Sequence, residues 1–151
     1  MLELATASDR ESINALAMQV HALHVAWRPD IYTSHKELYP QERMEAEIQK
    51  NALYVVKQSG IVVGYALLET RCVDIPGLVL RKVLLIEELC VAESSRGKGI
   101  GTKMMEEIQV LAKESGCTDL QLSVQPENEA ALALYRKCGF TVRNLNMQRK
   151  V

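Results

Sequence analysis

The chain has 151 residues, of which 48% are hydrophobic and 25% charged, so we expect residues 1–151 to form one globular domain. Its 18 basic and 19 acidic residues nearly balance, which leaves no broad basic field for nucleic acid or an anionic membrane. No apolar run approaches the roughly 20 residues of a transmembrane helix, and no signal peptide precedes the first element. We therefore expect a cytoplasmic protein with neither nucleic-acid nor membrane partners.

The first third of the chain is predicted to form a strand followed by two helices. Alternating residues at 2–6 predict a short strand. Ser8 and Glu11 have the spacing of a capping box, which predicts a helix from there to about Val25. A second helix is expected at about 40–50, because Pro40 is favourable at a helix start.

From residue 53 onward the pattern changes to β-rich segments that alternate with helices. The period-2 runs, turn residues and helix-period runs predict strands at 53–57, 61–70, 80–91 and 120–124, helices at 99–115 and 128–137, and one or two final strands within 140–151. The fold class is therefore α/β, with a mixed sheet and helices on its faces.

Three glycines, at positions 97, 99 and 101, lie where the strand at 80–91 is followed by the start of the helix at 99–115. Both the P-loop and the dinucleotide fingerprint that start at Gly97 require a glycine where Thr102 stands, so neither fits and a nucleotide hydrolase is disfavoured. The pattern R-x-x-G-x-G fits at Arg96, Gly99 and Gly101. Glycines at a helix N-terminus expose N–H groups to an anion, and the alternative is a glycine-rich turn without a ligand.

Two blocks of sequence carry a family resemblance. "IEELCVAESSRGKGIGTKMMEEI" resembles the acetyl-CoA-binding motif of the GNAT superfamily of N-acetyltransferases, and "LQLSVQPENEAALALYRKCGF" is similar to a second block of that family. Together they cover about residues 80–141, whereas the first third fits only by element order. The resemblance implies a GNAT-like acyl-CoA N-acyltransferase fold, of order β-α-α-β-β-β-α-β-α-β-β, with splayed fourth and fifth strands.

The resemblance also implies how acetyl-CoA, as a cosubstrate, would bind. The pyrophosphate would lie on backbone N–H groups of residues 97–102, and the pantetheine arm would pair with residues 89–91. An N–H near Leu89 would form an oxyanion hole. Asn128 would contact the pantetheine arm or brace the splayed strand. The implied cofactor-binding residues are Leu89, Cys90, Val91, Arg96, Gly97, Lys98, Gly99, Ile100, Gly101, Thr102 and Asn128.

Direct transfer to an amine needs a base for the acceptor and an acid for the leaving thiolate. The resemblance to polyamine-type members implies Glu87 as the base, acting directly or through a water; the alternative is a solvated or ion-paired carboxylate. Strand alternation predicts that Glu87 shares a face with Leu89 and Val91, and that Glu88 points with Cys90 to the opposite face. A bulge in the strand would exchange these faces.

The implied acid is Tyr135, seven residues after Asn128 on the same side of one helix, and the alternative for this side chain is a core aromatic. Trp27, Arg28 and Tyr32 lie where the family builds its acceptor site, although loop or core packing explains them equally well. The acceptor is expected to be a primary amine of a small molecule or a peptide.

Other chemistry-bearing residues have simpler explanations. His21 and His24 are three residues apart on one helix but lack a third ligand at matching spacing, so no metal is expected. Cys90 reads as a small buried residue rather than a nucleophile. The alternative function is a non-catalytic acyl-CoA-binding or regulatory module on the same scaffold. A homodimer in which the final strands of the two copies pair with each other is a further possibility.

Overall fold

The computed structural model describes residues 1–151 and contains five strands and four α-helices. In chain order these elements are β1 (Leu2–Leu4), α1 (Arg10–Trp27), α2 (Gln41–Gln49), β2 (Leu53–Gln58), β3 (Ile61–Val73), β4 (Arg81–Val91), α3 (Ile100–Glu114), β5 (Asp119–Leu122) and α4 (Glu129–Lys137). Short 3₁₀ turns precede α1, at 7–9, and follow β4, at 93–95. Up to α4, the predicted order of elements is confirmed.

The helix ends follow local chemistry. The Thr6 N–H donates to Asp9 Oδ2 over 2.9 Å, so the cap before α1 uses these two residues, and the predicted pairing of Ser8 with Glu11 is wrong by two positions. Gly116, at φ +71°, follows α3 in a left-handed conformation that favours glycine. None of the helices combines the length and the apolar character needed to cross a bilayer.

The five strands form one sheet in the order β1-β2-β3-β4-β5. Neighbouring strands are antiparallel except for β4 and β5, which are parallel and pair Val83–Ile86 with Asp119–Leu122. β4 continues from residue 87 to 91 without a β5 partner. The predicted splay of the fourth and fifth strands is therefore confirmed.

Each face of the sheet covers its own apolar cluster. The first cluster lies under α1 and α2 and includes Ile13, Tyr39 and Tyr65, whereas the second lies under α3 and includes Met104 and Ile108. Burial of such side chains is worth about 25 cal/mol per Å² of apolar surface. The two clusters fix β4 between them, and β4 carries most of the candidate site.

The predicted final strands are absent from the folded chain. Residues 138–151 form neither helix nor strand, and every residue from 141 to 151 is exposed. Phe140, whose N–H bonds the Tyr135 carbonyl, is the last residue with a backbone–backbone hydrogen bond. The strand prediction is therefore wrong for a single copy of the chain.

Candidate active site

A β-bulge in β4 determines which face each candidate residue occupies. Leu67 of β3 pairs with Glu88, but the next residue, Leu68, pairs with Ile86, so Glu87 is an extra residue without a β3 partner. Such a bulge reverses the alternation of side chains beyond it. Ile86 accordingly packs in the α3 cluster, whereas Cys90 packs in the α1–α2 cluster.

The bulge places both glutamates on the α1–α2 face. Glu87 Oε1 is 3.0 Å from Arg71 Nη2, and Arg71 shares the face of Leu67, which belongs to the α1–α2 cluster. Leu89 and Val91 pack against the α3 cluster instead. The prediction that Glu87 shares a face with them is therefore wrong, because interstrand register overrides simple alternation.

Glu87 is half-exposed, with a raised pKa. Partial burial and the neighbouring Glu69 carboxylate raise the pKa of Glu87, and the Arg71 guanidinium opposes them. A cleft of about 730 Å³ passes this side chain and also reaches Glu88 and Glu69. A carboxylate with a raised pKa on a cleft wall is suited to accept a proton near neutral pH.

Glu88 is held by three donors that the sequence analysis did not find. The hydroxyls of Tyr39 and Tyr65 donate to Glu88 Oε2 over 2.9 and 2.7 Å, and Arg43 Nη2 donates to Oε1 over 2.6 Å. Burial and then the Glu88 charge raise the pKa of both tyrosines, so their hydroxyls remain donors. The Glu88 carboxylate is thus held by three hydrogen bonds within the protein, and the Glu87 carboxylate, which pairs with Arg71, is less constrained.

The glycine loop leaves backbone donors unpaired. Gly97 and Gly99 have φ of +74° and +78°, and the N–H groups of residues 97–99 donate to no backbone acceptor. The first N–H groups of α3, which begins at Ile100, have no intrahelical partner either, and they carry the positive end of the helix dipole. A run of free N–H groups at a helix N-terminus fits a pyrophosphate.

The splayed end of β4 offers a free strand edge beside this loop. The Ala92 N–H donates to the Val63 carbonyl of β3, so antiparallel alternation directs the backbone groups of Leu89 and Val91 away from β3. These groups lie on the edge that β5 leaves unpaired. Arg96 Nε donates to the Val91 carbonyl over 3.1 Å, which braces the loop against this edge.

Cys90 lies between these elements as a protonated thiol. It is 4% exposed, and its Sγ donates to the Leu16 carbonyl over 3.4 Å. Burial raises the pKa of Cys90 to about 11, against the opposing Arg96 charge. A thiol in this state is a poor nucleophile, in accord with its interpretation as a small buried residue.

Helix α4 brings two further candidates to the splay. Burial, followed by the nearby Cys90 and Cys138, raises the pKa of Tyr135 to about 12, so its phenol is protonated at neutral pH. Asn128 Oδ1 accepts from the Ala131 N–H over 3.1 Å, which makes Asn128 the N-cap of α4. Gly101 allows α4 to approach, since a Cβ there would lie 3.0 Å from Leu134 Cδ2.

The three candidate acceptor residues meet at the end of α1. The ring centroid of Tyr32 is 4.9 Å from that of His24, which also lies 5.9 Å from Trp27, and Gln125 Nε2 donates to the Tyr32 hydroxyl over 3.0 Å. Arg28 forms a two-point ion pair with Asp30. These contacts link α1 to the β5–α4 connection, on the same side of the sheet as Glu88.

The histidines of α1 are engaged with the protein rather than aimed at a common ligand. His21 Nε2 lies 2.7 Å from the Thr33 carbonyl, and burial together with His21 lowers the pKa of His24. No three His, Cys, Asp or Glu side chains converge as metal ligands would.

Splayed parallel strands beside a glycine loop with free N–H groups define the class of acyl-CoA-dependent N-acyltransferases. The chain belongs to the Acetyltransferase (GNAT) family, whose model matches residues 19–140. Members of this family use acetyl-CoA as the acetyl donor.

Individual relatives match parts of the chain. A probable glucosamine 6-phosphate N-acetyltransferase 2 of Oryza sativa subsp. japonica is 33% identical over 84 residues, which cover 54% of this chain and 49% of the rice protein. An aminoglycoside N(6')-acetyltransferase type 1 of Acinetobacter baumannii is 23% identical over 118 residues, which cover 77% of this chain and 81% of that protein. The matched stretch thus spans about half the length of the rice relative.

Solved structures match the whole chain. A point mutant of a Bacillus halodurans protein has a TM-score of 0.95 and 28% identity, and the match covers 100% of this chain and 99% of that one. An aminoglycoside N-acetyltransferase in complex with CoA has a TM-score of 0.72 at 17% identity, with coverage of 100% and 99%, and this likeness concerns the fold alone.

Proposed function

We propose that residues 1–151 act as one N-acetyltransferase domain, which transfers the acetyl group of acetyl-CoA to a primary amine. The observation that carries the proposal is the adjacency of three features at the end of β4. These are the edge of β4 at Leu89 and Val91, which has no strand partner, the N–H groups after Arg96 that have no backbone acceptor, and a carboxylate with a raised pKa at Glu87.

The proposed roles in binding follow from these free groups. The N–H groups of residues 97–102 hold the pyrophosphate, and the edge of β4 pairs with the amides of the pantetheine arm. The Leu89 N–H points to the unpaired side and serves as the donor to the thioester oxygen. The Asn128 Oδ1 accepts the hydrogen bond that caps α4, and its Nδ2 remains available to donate to the pantetheine arm.

Glu87 and Tyr135 carry the proton transfers in this proposal. Bound acetyl-CoA supplies an activated thioester. Glu87 removes one proton from the ammonium form of the acceptor, directly or through a water, and later releases it to solvent. The freed amine nitrogen forms the new C–N bond and loses its second proton to solvent, which leaves the neutral amide. The C–S bond breaks as the Tyr135 phenol protonates the departing sulfur, and solvent then restores the phenol proton. The products are the acetylated amine and CoA thiol.

The acceptor is proposed to be a polar, cationic amine. The cleft is lined by more carboxylates than cations, and this negative excess favours a positively charged group. The carboxylates are Glu47, Glu69, Glu87 and Glu88, and the cations are Arg43 and Lys50. Trp27 and Tyr32 supply an aromatic wall for the remainder of the acceptor. Relatives bear names that specify glucosamine 6-phosphate, an aminoglycoside or thialysine as acceptors, so a first panel would include an amino sugar, a polyamine and a lysine-like amino acid, followed by peptides.

The proposal is tested first by calorimetric titration with acetyl-CoA, with ATP and NAD as controls. Saturable binding of acetyl-CoA, with no binding of ATP or NAD, supports the assignment of the glycine loop as the pyrophosphate site. Transfer to the amine panel is then measured by product mass, because four free cysteines would interfere with a thiol-reactive dye. Binding without transfer to any amine would favour the non-catalytic module, and failure to bind acetyl-CoA would overturn both.

Substitutions then separate the two proposed proton carriers. Glu87→Gln is expected to lower kcat about 10²–10⁴-fold, with acetyl-CoA affinity unchanged. Tyr135→Phe is expected to lower kcat while leaving the acidic limb of the pH profile in place. Glu106→Gln, an exposed carboxylate on α3, serves as the matched control. Equal activity of Glu87→Gln and Glu106→Gln would exclude Glu87 as the base.

The pH profile gives a second readout of the base. Because Glu69 raises the pKa of Glu87 and Arg71 lowers it, Glu69→Gln is expected to move the acidic limb of kcat to lower pH. Arg71→Gln is expected to move that limb to higher pH. If neither substitution moves the acidic limb, a group other than Glu87 gives rise to that limb.

A further inference from the structure

His24 lies on the face of α1 that packs against the sheet. It follows Leu16 and Val20 at intervals of four residues; Leu16 belongs to the α1–α2 cluster and Val20 packs against it. Residues four apart on a helix share one face, so His24 continues this apolar face toward the C-terminal end of α1. A titratable, half-buried ring thus occupies a position where the helix pattern calls for an apolar side chain.

Elements of the candidate site lie on two sides of the His24 ring. The ring centroid of Tyr32 is 4.9 Å away, and the Tyr32 hydroxyl accepts a hydrogen bond from Gln125 of the β5–α4 connection. On the side of the sheet, Glu88 of β4 is near enough for its charge to act on the imidazole. His24 therefore lies between β4 and the β5–α4 connection, beside the gap that the splay leaves between β4 and β5.

Neither ring nitrogen of His24 is bonded to another group of the protein. Hydrogen bonds involve ring nitrogens of His21 and His35 but not those of His24. The buried side-chain atoms that lack a partner are Arg81 Nε and Glu107 Oε1, so neither nitrogen of His24 is sealed from solvent. The imidazole is therefore free to accept a proton and to pass it to water.

The surroundings of His24 keep its imidazole neutral at physiological pH. Partial burial and the neighbouring His21 lower the pKa of His24 below its ordinary 6.5, and the Glu88 charge opposes them. The rings of Trp27 and Tyr32, which pack against it, add neither a carboxylate nor an ammonium group. A neutral imidazole with a free nitrogen is a proton acceptor, and a pKa below neutrality lets it release the proton again.

We propose that His24 accepts the second proton of the acceptor amine, an assignment that rests on the proposed acetyl transfer. An ammonium group loses two protons when it becomes an amide N–H, and Glu87 takes the first. Attack on the thioester makes the nitrogen cationic and therefore acidic, so a weak base suffices for the second. His24 removes this proton as the C–S bond breaks, and the resulting imidazolium releases it to solvent.

Glu88 assists this step through its charge rather than as a second proton acceptor. Two tyrosines and an arginine already donate to its carboxylate, as described above. The same charge acts on His24 and favours the imidazolium that forms when the ring is protonated. Glu88 is therefore a positioning residue, and the proton is carried by His24.

The assignment is tested with two variants of His24 and a matched variant of His21. His24→Phe keeps an aromatic ring beside Tyr32 but accepts no proton, whereas His24→Ala leaves room for free imidazole. Both are expected to lower kcat about 10²-fold, with acetyl-CoA affinity unchanged. Added imidazole is expected to restore part of the lost kcat in His24→Ala alone. His21→Ala, which removes a ring bonded to the Thr33 carbonyl, is expected to keep its activity and to show no response to imidazole.

The pH profile distinguishes the loss of a base from the loss of packing. Only neutral His24 accepts a proton, so the activity that depends on it is present above its pKa and is lost as the pH falls through it. Below the pKa values of both His24 and Glu87, log kcat is expected to fall with a slope of two in the unmutated chain. In His24→Phe the expected slope is one.

The outcomes separate this assignment from the proposed function. If the unmutated chain acetylates an amine and His24→Phe retains its kcat, only the assignment of His24 is overturned. If both variants are impaired but imidazole rescues neither and the slope is unchanged, the ring acts in packing and the assignment is overturned as well. If the unmutated chain acetylates no amine, the proposed function fails, and this assignment fails with it.

Discussion

Residues 1–112 and residues 113–151 are built differently. The first region contains every buried residue, including Ile13 and Ile108, which are fully enclosed. The second region contains β5, α4 and residues 141–151, and its apolar side chains are at best half-buried. It joins the first region mainly through half-buried contacts to the α3 cluster, among them those of Leu120, Leu122 and Tyr135.

This difference divides the candidate site. The glycine loop, the open edge of β4 and both glutamates belong to the well-packed region, whereas Tyr135 and Asn128 come from the sparsely packed one. Local stability follows the density of buried apolar contacts. We infer that β4, which carries the proposed base, is held firmly between the two buried clusters, while the proposed acid lies on an element that is easier to displace.

Truncation of one core residue in each region gives the largest expected contrast. Ile108→Ala is expected to lower the free energy of unfolding by about 2–5 kcal/mol, because the site is fully enclosed and leaves a cavity. Leu132→Ala in half-buried α4 is expected to cost only about 1 kcal/mol. Urea unfolding of both variants measures the difference, and equal losses would show that the two regions are equally well packed.

The contact between the regions is tested at Gly101. A methyl group there would lie 3.0 Å from Leu134 Cδ2, so Gly101→Ala is expected to push α4 away from α3 at a cost of about 1–3 kcal/mol. Gln109→Ala, at an exposed position of the same helix, is the control and should shift stability by about 0.5 kcal/mol at most. Both values come from denaturant unfolding, and faster hydrogen exchange confined to α4 would locate the damage. Unchanged stability would mean that α4 accommodates the methyl group freely.

The smallest expected effect is the contribution of Asp9, a residue of the first region, to the pH dependence of the unfolding free energy. Burial of Asp9 opposes its ionisation, but the Thr6 N–H and Lys57 outweigh it, and the pKa of Asp9 falls below its ordinary 3.8. A lowered folded-state pKa means that the stabilisation is present above pH 3.8 and is lost as the pH falls through the folded-state value.

Asp9→Asn is the variant that isolates this contribution. It is expected to cost about 0.5–2 kcal/mol at neutral pH, as the loss of a helix cap does, and to flatten the acid limb of the unfolding free energy. Asp74→Asn, in the connection after β3, is the control. If the acid limb of the unfolding free energy is unchanged in Asp9→Asn, carboxylates other than Asp9 account for the loss of stability at low pH.

Local patterns predicted most elements correctly, although the cap before α1 was placed two positions too late and the faces along β4 depended on a distant partner. The glycine loop and the extents of α3 and α4 were predicted because each depends on residues within a few positions. The common face of Glu88 and Cys90 was predicted correctly, but the face of Glu87 was not, because a bulge is a property of the pairing between β3 and β4. The partners of Glu88 were also missed, since Tyr39 lies 49 residues away and no local signal connects them.

The sequence by itself determined the order of the elements, the mixed α/β class and the glycine loop before α3, because backbone propensities and turn chemistry act locally. Only the tertiary structure decided that the two glutamates share a face, that Glu88 is bound by two tyrosines and an arginine, and that residues 141–151 have no strand partner within their own chain. Such outcomes depend on strand register and on distant side chains, which the folded backbone alone brings together.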